Sequence, residues 1–144
     1  MKTKLIFLVM LSVSVSCGTN NKPLSDAQKE KIKGEVKEVV DTFFKGCEDV
    51  NFDMALGTFF NSPDFAYINN GYSFSYKECV DVFRPAFGTF LNQKITRVDE
   101  KYTFPDNSTV FYSNHCKSLT NYKDGHAVLQ DPTVILFIFK KIYD

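Results

Sequence analysis

Tryptophan is absent from this chain, histidine occurs only twice, and there is no apolar run long enough to cross a bilayer as a helix, which takes about 20 residues. Two histidines cannot supply a three-histidine metal centre within one chain, and no cysteine spacing resembles a metal site, so no metal is expected. Net charge is missing too: 17 basic and 17 acidic residues cancel, without a long run of either sign. That removes the electrostatic footprint of a nucleic-acid-binding surface. No glycine-rich loop is present to cradle a phosphate, and neither a Ser-His-Asp nor a Cys-His constellation can be read from the spacing. No cofactor is expected.

What the chain does have is aromatic bulk, with 15 phenylalanines and seven tyrosines in 144 residues. A composition of 44% apolar and 24% charged residues is that of one ordinary globular domain. Lys2 and Lys4 precede the apolar stretch Leu5 to Leu11 and then "SVSVSC", which reads as an export signal over residues 1–16. Two readings of Cys17 compete. Ser16, Cys17 and Gly18, followed by a polar tether to residue 24, resemble a bacterial lipobox, apart from Ser14 where leucine is usual. Lipid on Cys17 would then anchor the protein to a membrane of the bacterial cell envelope. The alternative is an ordinary small-x-small cleavage site at Ser14 and Ser16. If Cys17 is lipidated, Cys47, Cys79 and Cys116 remain, an odd number that allows at most one internal disulfide.

Residues 25–144 read as a single α+β domain. Ser25 and Gln28 form a capping box, and Ile32, Val36, Val40, Phe43 and Cys47 recur at helical steps. A short second helix follows, with Phe52 and Leu56 inward, running to a stop at Asn61-Ser62-Pro63. The hairpin "YINNGYSF" leads to a second capping box, Ser75 with Glu78, and to a third helix in which Pro85 predicts a kink or break at Arg84. From Gln93 the period becomes two, with Thr96, Val98, Tyr102 and Phe104 on one side of a strand and Arg97, Asp99, Lys101 and Thr103 on the other. "TVFYSNHCKSLTNY" and "HAVLQDPTVILFIFKK" give two more strands, the last bulged at Asp131-Pro132. In "TVILFIF" both alternating sets are apolar, so both faces should be covered. A second subunit is the simplest cover for the face turned away from the helices, which predicts a homodimer through the sheet face.

This order of helix, short helix, aromatic hairpin, helix and long antiparallel strands, carried by "VVDTFFKGCEDVNFDMALGTFFNSPDFAYINNGYSFSYKECVDVF" and the strand pair around "KDG", resembles the nuclear transport factor 2-like superfamily, its SnoaL-like group in particular. The resemblance implies a cystatin-like cone: a curved antiparallel sheet packed on three N-terminal helices, with an apolar pocket between the layers. Members include isomerases, cyclases, dehydratases, hydrolases and proteins with no chemistry. Two departures matter. Isomerase-type members carry a general-base Asp three residues before the hairpin glycine, where this chain has Ile68 before Gly71. Relatives also close with one more strand, whereas this chain stops at "KKIYD", so a final strand is expected to be missing: either the sheet is shorter, or its neighbour comes from elsewhere, or the coding sequence ended early.

Within such a cone the candidate pocket residues are Tyr67 and Asn69 on the hairpin, Phe87 on the third helix, and Tyr102 and Tyr112 on the long strands. His115 is a weak catalytic candidate, able to act as a base if it faces the pocket; its neighbour Asn114 must then face the other way. The leading expectation is an exported, lipid-anchored domain that binds a small apolar ligand without catalysis. The alternatives are an acid-base enzyme using His115 and a tyrosine, and a protein-interaction module of the envelope. A cone holding a buried ionisable group with hydrogen-bonding neighbours favours the enzyme; a cone filled by phenylalanine favours the interaction module.

Overall fold

A computed structural model describes residues 5–7, 23–63, 65–69 and 72–141, with only the backbone described for 5–7, 68, 69 and 141. Strand β1 (Leu5–Phe7) comes first, followed by helix α1 (Asp26–Glu48). The capping box of α1 is formed: Gln28 N donates to Ser25 Oγ at 3.3 Å and Ser25 N donates to Gln28 Oε1 at 2.9 Å. Val36, Val40, Phe44 and Cys47 are buried along one stripe. The opposite face carries solvent-exposed pairs such as Lys33 with Glu30 and Lys45 with Asp49, each at 2.6 Å, of the kind that stabilise a helix by a few tenths of a kcal/mol, roughly 0.3–0.5 per pair.

Helix α2 (Phe52–Leu56) is shorter than its sequence suggests. It ends at Gly57, and a turn in which Phe59 N donates to the Leu56 carbonyl at 2.9 Å leads the chain away before the Asn61-Ser62-Pro63 stop. Strands β2 (Tyr67–Asn69) and β3 (Tyr72–Phe74) pair as a separate hairpin. Helix α3 (Tyr76–Thr89) starts with the expected Ser75–Glu78 capping box. It runs through Pro85 without the break expected at Arg84. Asp81, whose carbonyl loses its helical partner to the proline, and Pro85 itself both lie on the exposed side, where the loss is least costly.

Three long strands follow, β4 (Phe90–Thr103), β5 (Thr109–Tyr122) and β6 (Ala127–Lys141), in an antiparallel sheet of order β1-β6-β5-β4. β6 bulges at Asp131-Pro132, as its sequence predicts: Cys116 faces Thr133 and Ser118 faces Gln130 across the strand pair, leaving one residue on β5 against two on β6. A second bulge, at Val98, was not legible. Arg97 pairs with Cys116 and Asp99 with His115, so Val98 has no partner and the inward side of β4 changes parity there. Gln93, Ile95 and Arg97 point to the helices before the bulge and Tyr102 after it, whereas Thr96 and Val98, expected on the inner side, are exposed. At the other edge, β1 occupies Phe139–Lys141 of β6, so the neighbour that replaces a further strand comes from the N-terminal end of the chain.

The core joins Val36, Val40 and Phe44 of α1 to Val110 and Tyr112 of β5 and to Phe137 and Phe139 of β6. α2 reaches this layer by a close approach at Gly46, where an added Cβ would stand 2.5 Å from the Ala55 nitrogen and 2.8 Å from its Cα. Those are backbone atoms and cannot give way without moving the helix. Gly46→Ala is therefore expected to destabilise the domain by about 2 kcal/mol or more. Gly34→Ala, on the exposed side of α1 with nothing within 4 Å of the added carbon, is expected to stabilise it by about 0.5–1 kcal/mol. Thermal melts of the two variants check the contrast, and equal effects would show that α1 and α2 do not meet at Gly46.

Candidate functional site

The inner surface of the sheet is set by the alternation of β5. Val110, Tyr112, Asn114, Cys116, Ser118 and Thr120 are buried toward the helices, while Phe111, His115, Lys117 and Leu119 face the other way. His115 is thus exposed on the outer face, between Asp99 on β4 and Val134 on β6, and it is Asn114 that enters the cone.

Of the five sequence-predicted pocket residues, Tyr67, Phe87, Tyr102 and Tyr112 have described side chains, and these fall into separate aromatic groups. Tyr67 is half-buried against Phe59, Phe74 and Phe83. Tyr102 meets Tyr112 edge-on, with ring centres 5.2 Å apart. Between these two groups lie the rings of Phe59 and Phe137, the latter 6.1 Å from Tyr112. Phe87 packs elsewhere, edge-on to Phe52 and against Phe90. The side chain of Asn69, and that of Ile68, lie outside the described residues, as does Cys17. The recess between α1 and β6, walled by Val39, Phe43, Phe59 and Phe137, leaves no room for a water-sized body.

Burial governs the ionisable groups here. It pushes the Cys47 thiol up to about 12 and, together with Cys79 and Cys47 nearby, the Tyr67 hydroxyl up to about 12. Cys79 rises to about 11 for the same reason, followed by the charge of Glu78. All three described cysteines are free and buried, so they pack as small apolar groups rather than as nucleophiles.

Beside Tyr112 lies a polar network that the sequence did not disclose. The Tyr112 hydroxyl donates to Glu100 Oε1 at 2.9 Å, and Arg97 Nη1 stands 3.0 Å from the same oxygen and 2.7 Å from Asp41 Oδ1 on α1. The Arg97–Asp41 contact is close yet lacks hydrogen-bond alignment, so it acts as a charge contact. Burial raises the Asp41 carboxyl, but Lys37 and Arg97 more than offset this and hold it below the ordinary range. Tyr112 is raised by burial and by its bond to Glu100, which keeps its proton in place. Arg97 was hidden by the Val98 bulge, because strict alternation puts it outside.

Asn114 sits next in the same inward row, directly across from Glu100 on β4 and Ile135 on β6. Its side chain is fully buried, and neither the amide oxygen nor the amide nitrogen has a hydrogen-bond partner. An unsatisfied buried amide of this kind costs about 1–3 kcal/mol. The signal was available in the sequence: an amide residue at the step between Tyr112 and Cys116 in the inward row. Among the described residues no group of three or more histidine, cysteine, aspartate or glutamate side chains gathers to hold a metal, and no helix is long and apolar enough to cross a membrane.

No protein-family model and no curated protein matches the chain in sequence. Solved structures do match in fold. One is that of a "putative aromatic ring hydroxylase" from Novosphingobium aromaticivorans, with a TM-score of 0.66 and 14% identity over 78% of this chain and 85% of the other. Another is an NTF2-like protein of unknown function from Exiguobacterium sp. 255-15, with a TM-score of 0.50 and 13% identity over 68% of this chain and 83% of the other. The fold is therefore the α+β cone of the nuclear transport factor 2-like type, with helices packed on an antiparallel sheet. At these identities the likeness is one of architecture.

Proposed function

We propose that this chain is a small-ligand-binding domain, exported and held at a bacterial envelope by lipid on Cys17, and working as a homodimer. Asn114 carries the ligand-binding reading. A fully buried amide with both polar atoms unpartnered is destabilising unless something else bonds to it, and such costs are typically retained at binding sites. The ligand is a small, largely apolar molecule with a polar group for the amide, in keeping with Tyr112 and Cys116 on either side of Asn114 in the inward row and Ile135 across from it. Acid-base catalysis has less support: His115 is on the outer face, and the Tyr112 hydroxyl is bonded to Glu100 and raised away from neutrality.

The aromatic filling of the recess favours a second reading, an interaction module that works through the outer face of the sheet. Val98 is 62% exposed there, Val134 62% and Leu136 58%, and clustered apolar exposure of this kind marks an interface. A second copy of the chain fits both readings. Processing of the export signal would remove β1 and open the β6 edge at Phe139–Lys141.

Three measurements test these proposals. Asn114→Val removes the unpartnered amide and keeps a strand-compatible side chain, so its stability should rise by about 1 kcal/mol, while any ligand found by thermal-shift screening of wild type should no longer bind. A loss of stability would mean that the amide is already bonded within the protein, and would leave the interaction reading ahead. Light scattering across micromolar concentrations should give the dimer mass, and Leu136→Glu should give the monomer; a wild type that stays monomeric removes the dimer. Expressed in a bacterium, the protein should fractionate with membranes and Cys17→Ala should release it, whereas unchanged fractionation rules out the lipid anchor.

A further inference from the structure

The amide of Asn114 presents an acceptor, Oδ1, and a donor group, Nδ2, side by side, and both are buried without a partner. Turning the amide over exchanges the two atoms and leaves the same demand. Its surroundings are set by the sheet: Tyr112 and Cys116 precede and follow it in the inward row, Glu100 lies across on β4 and Ile135 across on β6. Asn114 is closed to solvent, so binding requires the layers to part. The join beside it on β4 is the Arg97 contact with Asp41 of α1, a charge contact without a hydrogen bond between side chains that are 30% and 41% exposed.

Few polar groups meet both amide atoms. A hydroxyl or a ketone answers one and leaves the other unmet, which is the costly outcome in a buried site. A carboxylate offers acceptors alone and would set its charge toward Glu100, while Arg97, the cation on that side, already stands 3.0 Å from Glu100 and 2.7 Å from Asp41. An ammonium offers donors alone. A cis-amide in a ring, with N–H and C=O on one edge, returns a donor for Oδ1 and an acceptor for Nδ2 in two parallel bonds, as an asparagine side chain does with the matching edge of a base. The uncharged remainder of such a ring suits Tyr112, Cys116 and Ile135.

We propose that the ligand of the Asn114 site is a small ring carrying a cis-amide, held by both atoms of the Asn114 amide. This rests on the ligand-binding reading of Asn114 and names the chemical class. The test is an NMR titration of the full chain, read at the side-chain amide signal of Asn114, with δ-valerolactam and, separately, N-methyl-δ-valerolactam, which keeps the carbonyl and loses the N–H. The lactam should shift that signal, and the N-methyl compound should bind about tenfold more weakly, the scale of one unmet buried acceptor. Asn114→Val and Asn114→Asp should each weaken the lactam about tenfold or more. Equal binding of the two compounds to wild type, both lost in Asn114→Val, overturns the cis-amide assignment and leaves the ligand-binding reading standing. Lactam binding that Asn114→Val leaves unchanged overturns the assignment as well, as does the absence of a shift with either compound. If that absence comes with an Asn114→Val variant less stable than wild type, the ligand-binding reading falls too.

Discussion

Phe137 is where the layers of this domain meet. Its ring lies 5.1 Å from Phe43 of α1, 6.3 Å from Phe59 beyond α2 and 6.1 Å from Tyr112 on the neighbouring strand. Burying a ring of this size contributes about 1.5–3 kcal/mol, and each well-placed aromatic contact adds to that. Because one side chain touches both helical segments and the central strand, β6 cannot shift its register without separating them. The same contact fills the space between helices and sheet, so the recess beside α1 is closed where a cone of this architecture has room for a pocket. A stable core and an open cavity compete for one volume, and here the phenylalanines have taken the part nearest β6.

What is left for function lies one step along β5. The Val98 bulge turns Arg97 inward on the side of the helices, close enough to Glu100 and Asp41 for the charges to compensate one another, and Tyr112 adds a hydrogen bond to Glu100. Their charges compensate one another, although Arg97 Nη1 and Asp41 Oδ1 lack a hydrogen bond. Asn114 has no charge contact to stand in for the hydrogen bonds that both of its amide atoms lack. The outer face poses a different problem. There His115 stands between Asp99 on β4 and Val134 on β6, with Val98 and Leu136 also exposed.

Much of the architecture was legible because it rests on local chemistry. Both capping boxes, the opposite facing of Asn114 and His115 on β5 and the bulge at Asp131-Pro132 depend on neighbours a few residues apart. The misreadings have non-local causes. Pro85 in isolation predicts a kink or a break, and the break does not occur: α3 continues, held by contacts of Cys79, Phe83 and Phe87 with the core. The Val98 bulge exists because β4 must keep register with β5 on both sides of it, and nothing within "ITRVDEKY" reports that demand. The pocket residues Tyr67, Phe87, Tyr102 and Tyr112 were sound choices of residue type, but whether they enclose a cavity or pack on one another depends on rings contributed by distant segments.

By itself, the sequence determined the identity and order of the helices and long strands, the alternation that turns Asn114 and His115 to opposite faces, and the apolar character of both sides of β6. Periodicity and capping act within a few residues, so they can be read along the chain. Only the tertiary structure decided that Arg97 is inside, that Gly46 lets α2 touch α1, that Phe137 closes the recess, and that the amide of Asn114 is left without a partner. Each of these is a statement about which atoms from remote segments occupy the same few ångströms, and packing, not local preference, settles that.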